Sequence, residues 1–246
     1  MRMPIWYELT QPEFLKCAEK TSVAVMITGS LEAHGNHLPL GTDTILPDYL
    51  GKQIADKTNA LILPPIPFGD SWTFEPFRGT VTVSPITLTQ LYSDIMDSVF
   101  KIGFRFIVII NGHGGNVGSL KQAATLATSK KEASVILVNW WIDLAENARK
   151  SVLETPEGHA AEDETSEVLF VRPELVDMSQ AVASQVKRKY NIISGAYREE
   201  IYPSAIMGDP KTASDEKGKA IIEEAIEDLI QLIEQLERNE LPMERA

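Results

Sequence analysis

Phe106-Ile107-Val108-Ile109-Ile110-Asn111-Gly112-His113-Gly114-Gly115-Asn116 is the stretch on which the fold turns. Its first five residues are apolar without a polar alternation, the mark of a strand buried on both faces, and a glycine-rich exit leads into helical spacing over Ser119–Lys130. The unit is therefore strand, turn, helix. Val23–Thr28, Ala60–Leu63 and Val135–Asn139 are further apolar runs, and helical spacing over Pro47–Lys57 and Leu88–Ile102 fills the intervals between runs. Strands that alternate with helices predict a mainly parallel sheet flanked by helices, the α/β class.

Toward the C-terminus a helix is predicted over Glu162–Phe170, ending before Arg172-Pro173, because the residue preceding a proline is pushed out of helical angles. A longer one, Ser214–Arg238, puts Ile222, Ile226, Leu229, Ile233 and Leu236 on one stripe, with Ser214 and Asp215 as caps. The Pro- and Gly-containing stretches 64–85 and 194–212 read as long loops, which in a compact domain are often lids or interface segments.

With 246 residues, 43% apolar and 24% charged, the chain is expected to form one globular domain over residues 1–246. Its net charge of −12 disfavours a nucleic-acid partner, which needs a basic surface to displace counterions, and an anionic membrane as well. The single Cys17 excludes an internal disulfide and a cysteine metal cage. Pro4, Glu8 and Glu13 interrupt the opening residues where an export signal needs an apolar run, and no apolar run approaches the roughly 20 residues of a membrane span. A cytoplasmic location is expected.

Ligands in such sheets bind beyond the carboxyl ends of the strands. After the first run comes Gly29-Ser30-Leu31-Glu32-Ala33-His34-Gly35-Asn36-His37-Leu38-Pro39-Leu40-Gly41-Thr42-Asp43, after the third the glycine loop around His113, and after the fourth Asn139-Trp140-Trp141. The four histidines of the chain, His34, His37, His113 and His159, fall in these exits or in His159-Ala160-Ala161-Glu162-Asp163-Glu164-Thr165-Ser166. Imidazole with carboxylate is a ligand set for zinc, manganese or iron, and a carboxylate can bridge two such ions. Taken singly, each residue has a plainer reading. Asp43 reads equally as a helix N-cap, His113 as a turn residue, His37 as a loop buttress, and Glu164 and Ser166 as helix-start residues. Their joint placement at strand ends points to a metal site.

These blocks resemble the creatininase (creatinine amidohydrolase) family, whose pattern is similar to Gly29–Asp43, Asn111–Asn116 and His159–Ser166, with Ala161 where the family has glycine. The resemblance implies a three-layer α/β/α sandwich, two divalent ions per subunit (Zn, Mn or Fe), a small amide substrate and a homo-oligomer, a hexamer in relatives. It further implies that Glu32 and His113 bind one ion, that His34 binds the other, that Asp43 bridges them, and that His159 shuttles a proton with Glu164 as its helper. Creatininases carry a glutamate ligand where this chain has Gly115 and an aromatic residue where it has Gly114. Glu162, one turn from His159, is the expected replacement carboxylate. Ser71, Arg78 and Trp141 are the expected substrate contacts, Arg78 toward an anionic group.

The implied activity is hydrolysis of a non-peptide C–N bond in a small molecule by metal-activated water. The Asn111–Asn116 block is equally similar to two other branches, a formamidopyrimidine deformylase of flavin and deazaflavin biosynthesis and a peptidase of the mycofactocin precursor. An inert metal-binding scaffold is the alternative from another class. A Rossmann-type nucleotide site lacks the G-x-G-x-x-G spacing and leaves the Glu32/His34 cluster unexplained.

Overall fold

A computed structural model describes residues 4–129 and 131–243. Four strands, β1 (Val23–Thr28), β2 (Leu61–Ile62), β3 (Phe106–Asn111) and β4 (Ser134–Asn139), pair in the order β2-β1-β3-β4, and every pair is parallel. The register sets Thr28, Asn111 and Asn139 side by side at the last rung, so the three strand exits open on one rim.

The helices are α1 (Gln11–Ala18), α2 (Thr42–Ala55), α3 (Pro85–Ile102), α4 (Val117–Thr128), α5 (Trp140–Asp143), α6 (Glu146–Val152), α7 (Glu162–Val171), α8 (Arg198–Ile201) and α9 (Asp215–Glu237). Side chains alternate across a strand, and each face finds its own cover. Val23, Val25, Ile27, Val108 and Ile110 pack with Leu46, Leu50 and Ile54 of α2, Val168 of α7 and the Ile222–Leu236 stripe of α9. Ala24, Met26, Ile107 and Ile109 pack with Leu88, Tyr92, Met96 and Val99 of α3 and Leu120 and Ala123 of α4. The result is the expected α/β/α arrangement. Full burial of each such side chain contributes roughly 1.5–3 kcal/mol, which is why unbroken apolar runs rather than alternating ones form this sheet.

Several boundaries differ from the sequence reading. The second strand shortens to two residues, and α3 begins at Pro85, where the Ser84 hydroxyl accepts from the Thr87 amide. The helix expected over Ser119–Lys130 is α4, which ends at Thr128, and Lys130 lies outside the described residues. Most consequential is α2, which starts at Thr42 instead of Pro47, with Gly41 at its N-cap. Asp43 is thus inside the first turn and is not the cap. Pro47 has no N–H to give the Asp43 carbonyl, and Gly112 lies directly against that carbonyl, bringing α2 onto the β3 exit. No described helix is long and apolar enough to cross a membrane.

Candidate metal centre

The rim is anchored before any ligand is placed. Asn111, at the end of β3, accepts from the Thr28 hydroxyl (3.0 Å) and donates to the His113 carbonyl and the Asn139 side chain (2.9 Å each). Asn116 donates to the Gly29 carbonyl (3.0 Å) and accepts from the Asp70 amide (3.1 Å), tying three loops together. Sequence reasoning assigned these asparagines no part, although strand-end amides that pair exposed backbone groups are a recurring way to fix a loop.

On this frame Glu32, His34, Asp43 and His113 come together, all buried. The two oxygens of Asp43 face different imidazoles: Oδ1 lies 2.9 Å from His34 Nε2, and Oδ2 lies 2.8 Å from His113 Nδ1, with Ser30 donating to Oδ2. Glu32 Oε1 is 3.4 Å from His113 Nδ1 and 3.9 Å from His159 Nδ1. Three ligand groups result: Glu32, Asp43 and His113; His34, Asp43 and Glu164; and Glu32, His34 and His159.

Each imidazole is oriented from behind. His34 Nδ1 lies 3.0 Å from the Glu32 carbonyl, His113 Nε2 lies 2.8 Å from that of Asp70, and His159 Nε2 lies 2.9 Å from that of Ala33. A carbonyl only accepts, so that nitrogen carries a proton and the inward one is left to face a cation, its lone pair open to a metal once its own proton is displaced, the arrangement of metal-ligating histidines. Both Glu32 carboxylate oxygens are buried without a hydrogen-bond partner, which is costly unless a cation sits opposite. The residues therefore fit a divalent ion.

The charges tell the same story. Burial pushes Glu32 up to about 7, with His113 pulling the other way, and burial drives Glu164 well above the carboxylate range. Burial also opposes the His34 and His113 cations, yet Asp43 with Glu164 lifts His34 to about 10, and Glu32 with Asp43 lifts His113 to about 10. Asp43 is held well below the ordinary range by both histidines against its own burial. His159, with burial and the His34 charge acting together, falls to about 3. The cluster is built for positive charge, which protons supply when no metal does.

Glu162 is not where the sequence reading expected it. Its carboxylate turns away from the cluster, accepting from the Glu154 and Thr155 amides, the Thr155 hydroxyl and Lys217 Nζ (2.6 Å). Ala160 adopts a left-handed φ of 51° and Ala161 is extended, and this entry to α7 turns Glu164 inward instead, with Oε2 3.8 Å from His34 Nε2. Gly115 is obligatory here, because a Cβ would stand 2.1 Å from the Asp70 carbonyl oxygen, leaving no path for a glutamate. His37 stays off the cluster, its Nε2 3.0 Å from the Thr165 hydroxyl.

The cluster floors a cavity of about 500 Å³, walled by Phe74, Trp141, Ile142, Tyr202 and Met207 and by Asp70 and Glu157. Of the expected contacts, Trp141 lines this cavity and two others do not. Arg78 is exposed outside the cavity, on a turn that ends at Gly79, and Ser71 is buried beside Glu32, off the cavity wall. Phe74 lies flat on the His159 ring (4.2 Å, 13°), and Tyr202 meets Phe74 edge-on. Tyr202 and Met207 went unassigned in the sequence, since only the length of the loop around them was a signal.

Residues 7–233 match the creatininase (creatinine amidohydrolase) family. The chain belongs to the creatininase family. It is an enzyme of that hydrolase family. It is 28% identical over 256 residues to a creatinine amidohydrolase of Pseudomonas putida, covering 96% of each chain. To a mycofactocin precursor peptide peptidase of Mycolicibacterium smegmatis it is 30% identical over 211 residues, 80% of this chain and 78% of that one. A solved manganese form of creatininase superposes with a TM-score of 0.83 at 25% identity, covering 96% of this chain and 99% of that one.

Proposed function

We propose that this protein hydrolyses a C–N bond of a small amide at a centre of two divalent ions. The observation that carries this reading is Asp43, whose oxygens are aimed at two different imidazoles, each with a glutamate at its side. Glu32, Asp43 and His113 would hold one ion, and His34, Asp43 and Glu164 the other, so that Glu164 would be a ligand and not only a helper of His159. The ions, whether zinc, manganese or iron, would supply Lewis acidity toward the amide carbonyl and a water-derived nucleophile near neutral pH.

The protein's own part is positional. His159 reaches the cavity with Nε2 fixed on the Ala33 carbonyl and Nδ1 on the side of Glu32 (3.9 Å); neutral at rest because its basicity is depressed, it would hold a proton at Nδ1 only briefly and give it up readily to the departing nitrogen. Phe74, stacked on the imidazole, keeps the ring from turning. Trp141 and Tyr202 wall the space where the amide would lie.

Metal analysis combined with turnover of formamides and cyclic ureides tests the proposal. The metal-loaded parent is expected to bind two ions and hydrolyse at least one such amide, and Asp43→Ala to lose both ions and at least about a thousandfold in kcat/KM. Activity in Asp43→Ala equal to the parent's would remove the two-ion reading.

A further inference from the structure

The loop after β3 holds three glycines for different reasons. A Cβ on Gly112 would lie 2.0 Å from the Asp43 carbonyl oxygen, and one on Gly115 2.1 Å from that of Asp70, so neither position accepts a side chain. Gly114 is under no such demand. Its φ is not positive, and a Cβ there would meet only Cζ2 of Trp141, at 3.9 Å, an ordinary contact. Glycine at a site that alanine fits costs backbone entropy for no steric return. What its absent side chain leaves is space, and Gly114 and Trp141 line the same cavity.

We infer that Gly114 determines specificity: it leaves a slot against the Trp141 ring that takes a planar, uncharged ring carried by the scissile amide. Beyond the ligands, Phe74, Ile142, Tyr202 and Met207 make the wall apolar, and a flat ring gains most by stacking on an indole. No Lys or Arg is among the described residues lining the cavity, whereas Asp70 and Glu157 are, so an anionic appendage would meet like charge. The inference rests on the amide-hydrolase reading for the reaction but makes a separate statement about binding.

The test compares benzamide with acetamide, by calorimetry and tryptophan fluorescence on the zinc-loaded parent, Gly114→Ala and Gly114→Tyr. Benzamide is expected to bind the parent more tightly than acetamide, and Gly114→Tyr to weaken benzamide at least about tenfold with acetamide changed less than about twofold. Formanilide and formamide supply the kinetic counterpart, the loss in Gly114→Tyr falling on KM for formanilide alone. Should Gly114→Tyr not fold, Gly114→Ala carries the same ordering at about two- to threefold. Equal weakening of both ligands, or benzamide binding no tighter than acetamide to the parent, overturns the inference. Absence of any amide turnover by the two-ion parent overturns the hydrolytic reading instead, and leaves the binding contrast to be judged by itself.

Discussion

Around residues 29–43 and 111–116 the polar side chains Ser30, Glu32, His34, Asp43, Asn111 and Asn116 are all buried, and side-chain bonds to backbone run from loop to loop. Across the same cavity, residues 182–207 expose Val182, Tyr190, Ile193 and Tyr197 and are held by two short bridges, Ser184 to Gly208 and His159 to Met207, and by two arginines stacked on rings. The rim spends desolvation to fix atoms within tenths of an ångström, as ligands require. The cover fixes little and needs only to present Tyr202 and Met207. On the proposed function, chemistry would belong to the first region, and choice of substrate to the second together with Gly114.

The sharpest way to break this division lies on α7, where two glutamates two residues apart have opposite fates. Glu164→Gln is expected to release one of two ions, read by metal content, and to lower kcat/KM at least about a hundredfold, beyond the effect of outer partners. Glu162→Gln is expected to keep both ions and kcat while losing about 1–3 kcal/mol of stability in urea titrations, because Lys217 and the 154–155 amides lose a buried acceptor. The reverse pattern would return Glu162 to the metal and undo the inward assignment of Glu164.

A smaller effect is expected just behind the rim. Glu167, buried on α7, faces Arg149 Nη2 at 3.1 Å, while Asp163 and Glu157 crowd the same guanidinium. Burial lifts Glu167 to about 8 against the pull of Arg149. Between the ordinary carboxylate value and 8 the folded chain holds a proton that the unfolded chain has lost. Stability from this group is therefore complete below about pH 4.5 and declines as pH rises through 8. Urea titrations at pH 5.5, 7 and 8.5 should show Glu167→Gln losing less stability across the series than the parent does. Parallel slopes would mean that the carboxyl is ionised throughout.

How far the rim could be read from sequence follows from its physics. Buried parallel strands need unbroken apolar runs, so β1 and β3 were legible, as was the half-buried edge strand β4, and with them the exits where Glu32, His34 and His113 stand. Asp43 was legible as a member of the cluster by resemblance but not as a helix residue, since the fold around Gly112 and Pro47 decides where α2 begins. Glu162 and Glu164 could not be told apart by spacing. A left-handed Ala160 and a lysine 55 residues downstream make that decision, and neither leaves a local trace. Arg78 failed for a related reason: a guanidinium suits an anion, but its turn faces solvent. The cover, without regular periodicity, announced only its length.

The cover's smallest expected effect concerns Arg198, in the turn of helix just before Tyr202. Its guanidinium lies over the Trp72 ring at 4.6 Å and donates to the Trp72 carbonyl (2.5 Å) and to Glu75 (2.9 Å), joining the cover to the loop that carries Phe74. The pairing is partly exposed, so its loss should cost no more than about 1 kcal/mol. Its geometric reach is longer, because Tyr202 packs edge-on against Phe74, which in turn lies on His159. In Arg198→Ala the cover should loosen while the ligands stay fixed, raising KM about three- to tenfold with kcat and metal content unchanged. A fall in kcat with constant KM would mean that the cover positions His159 for proton transfer, and that the two regions are one machine.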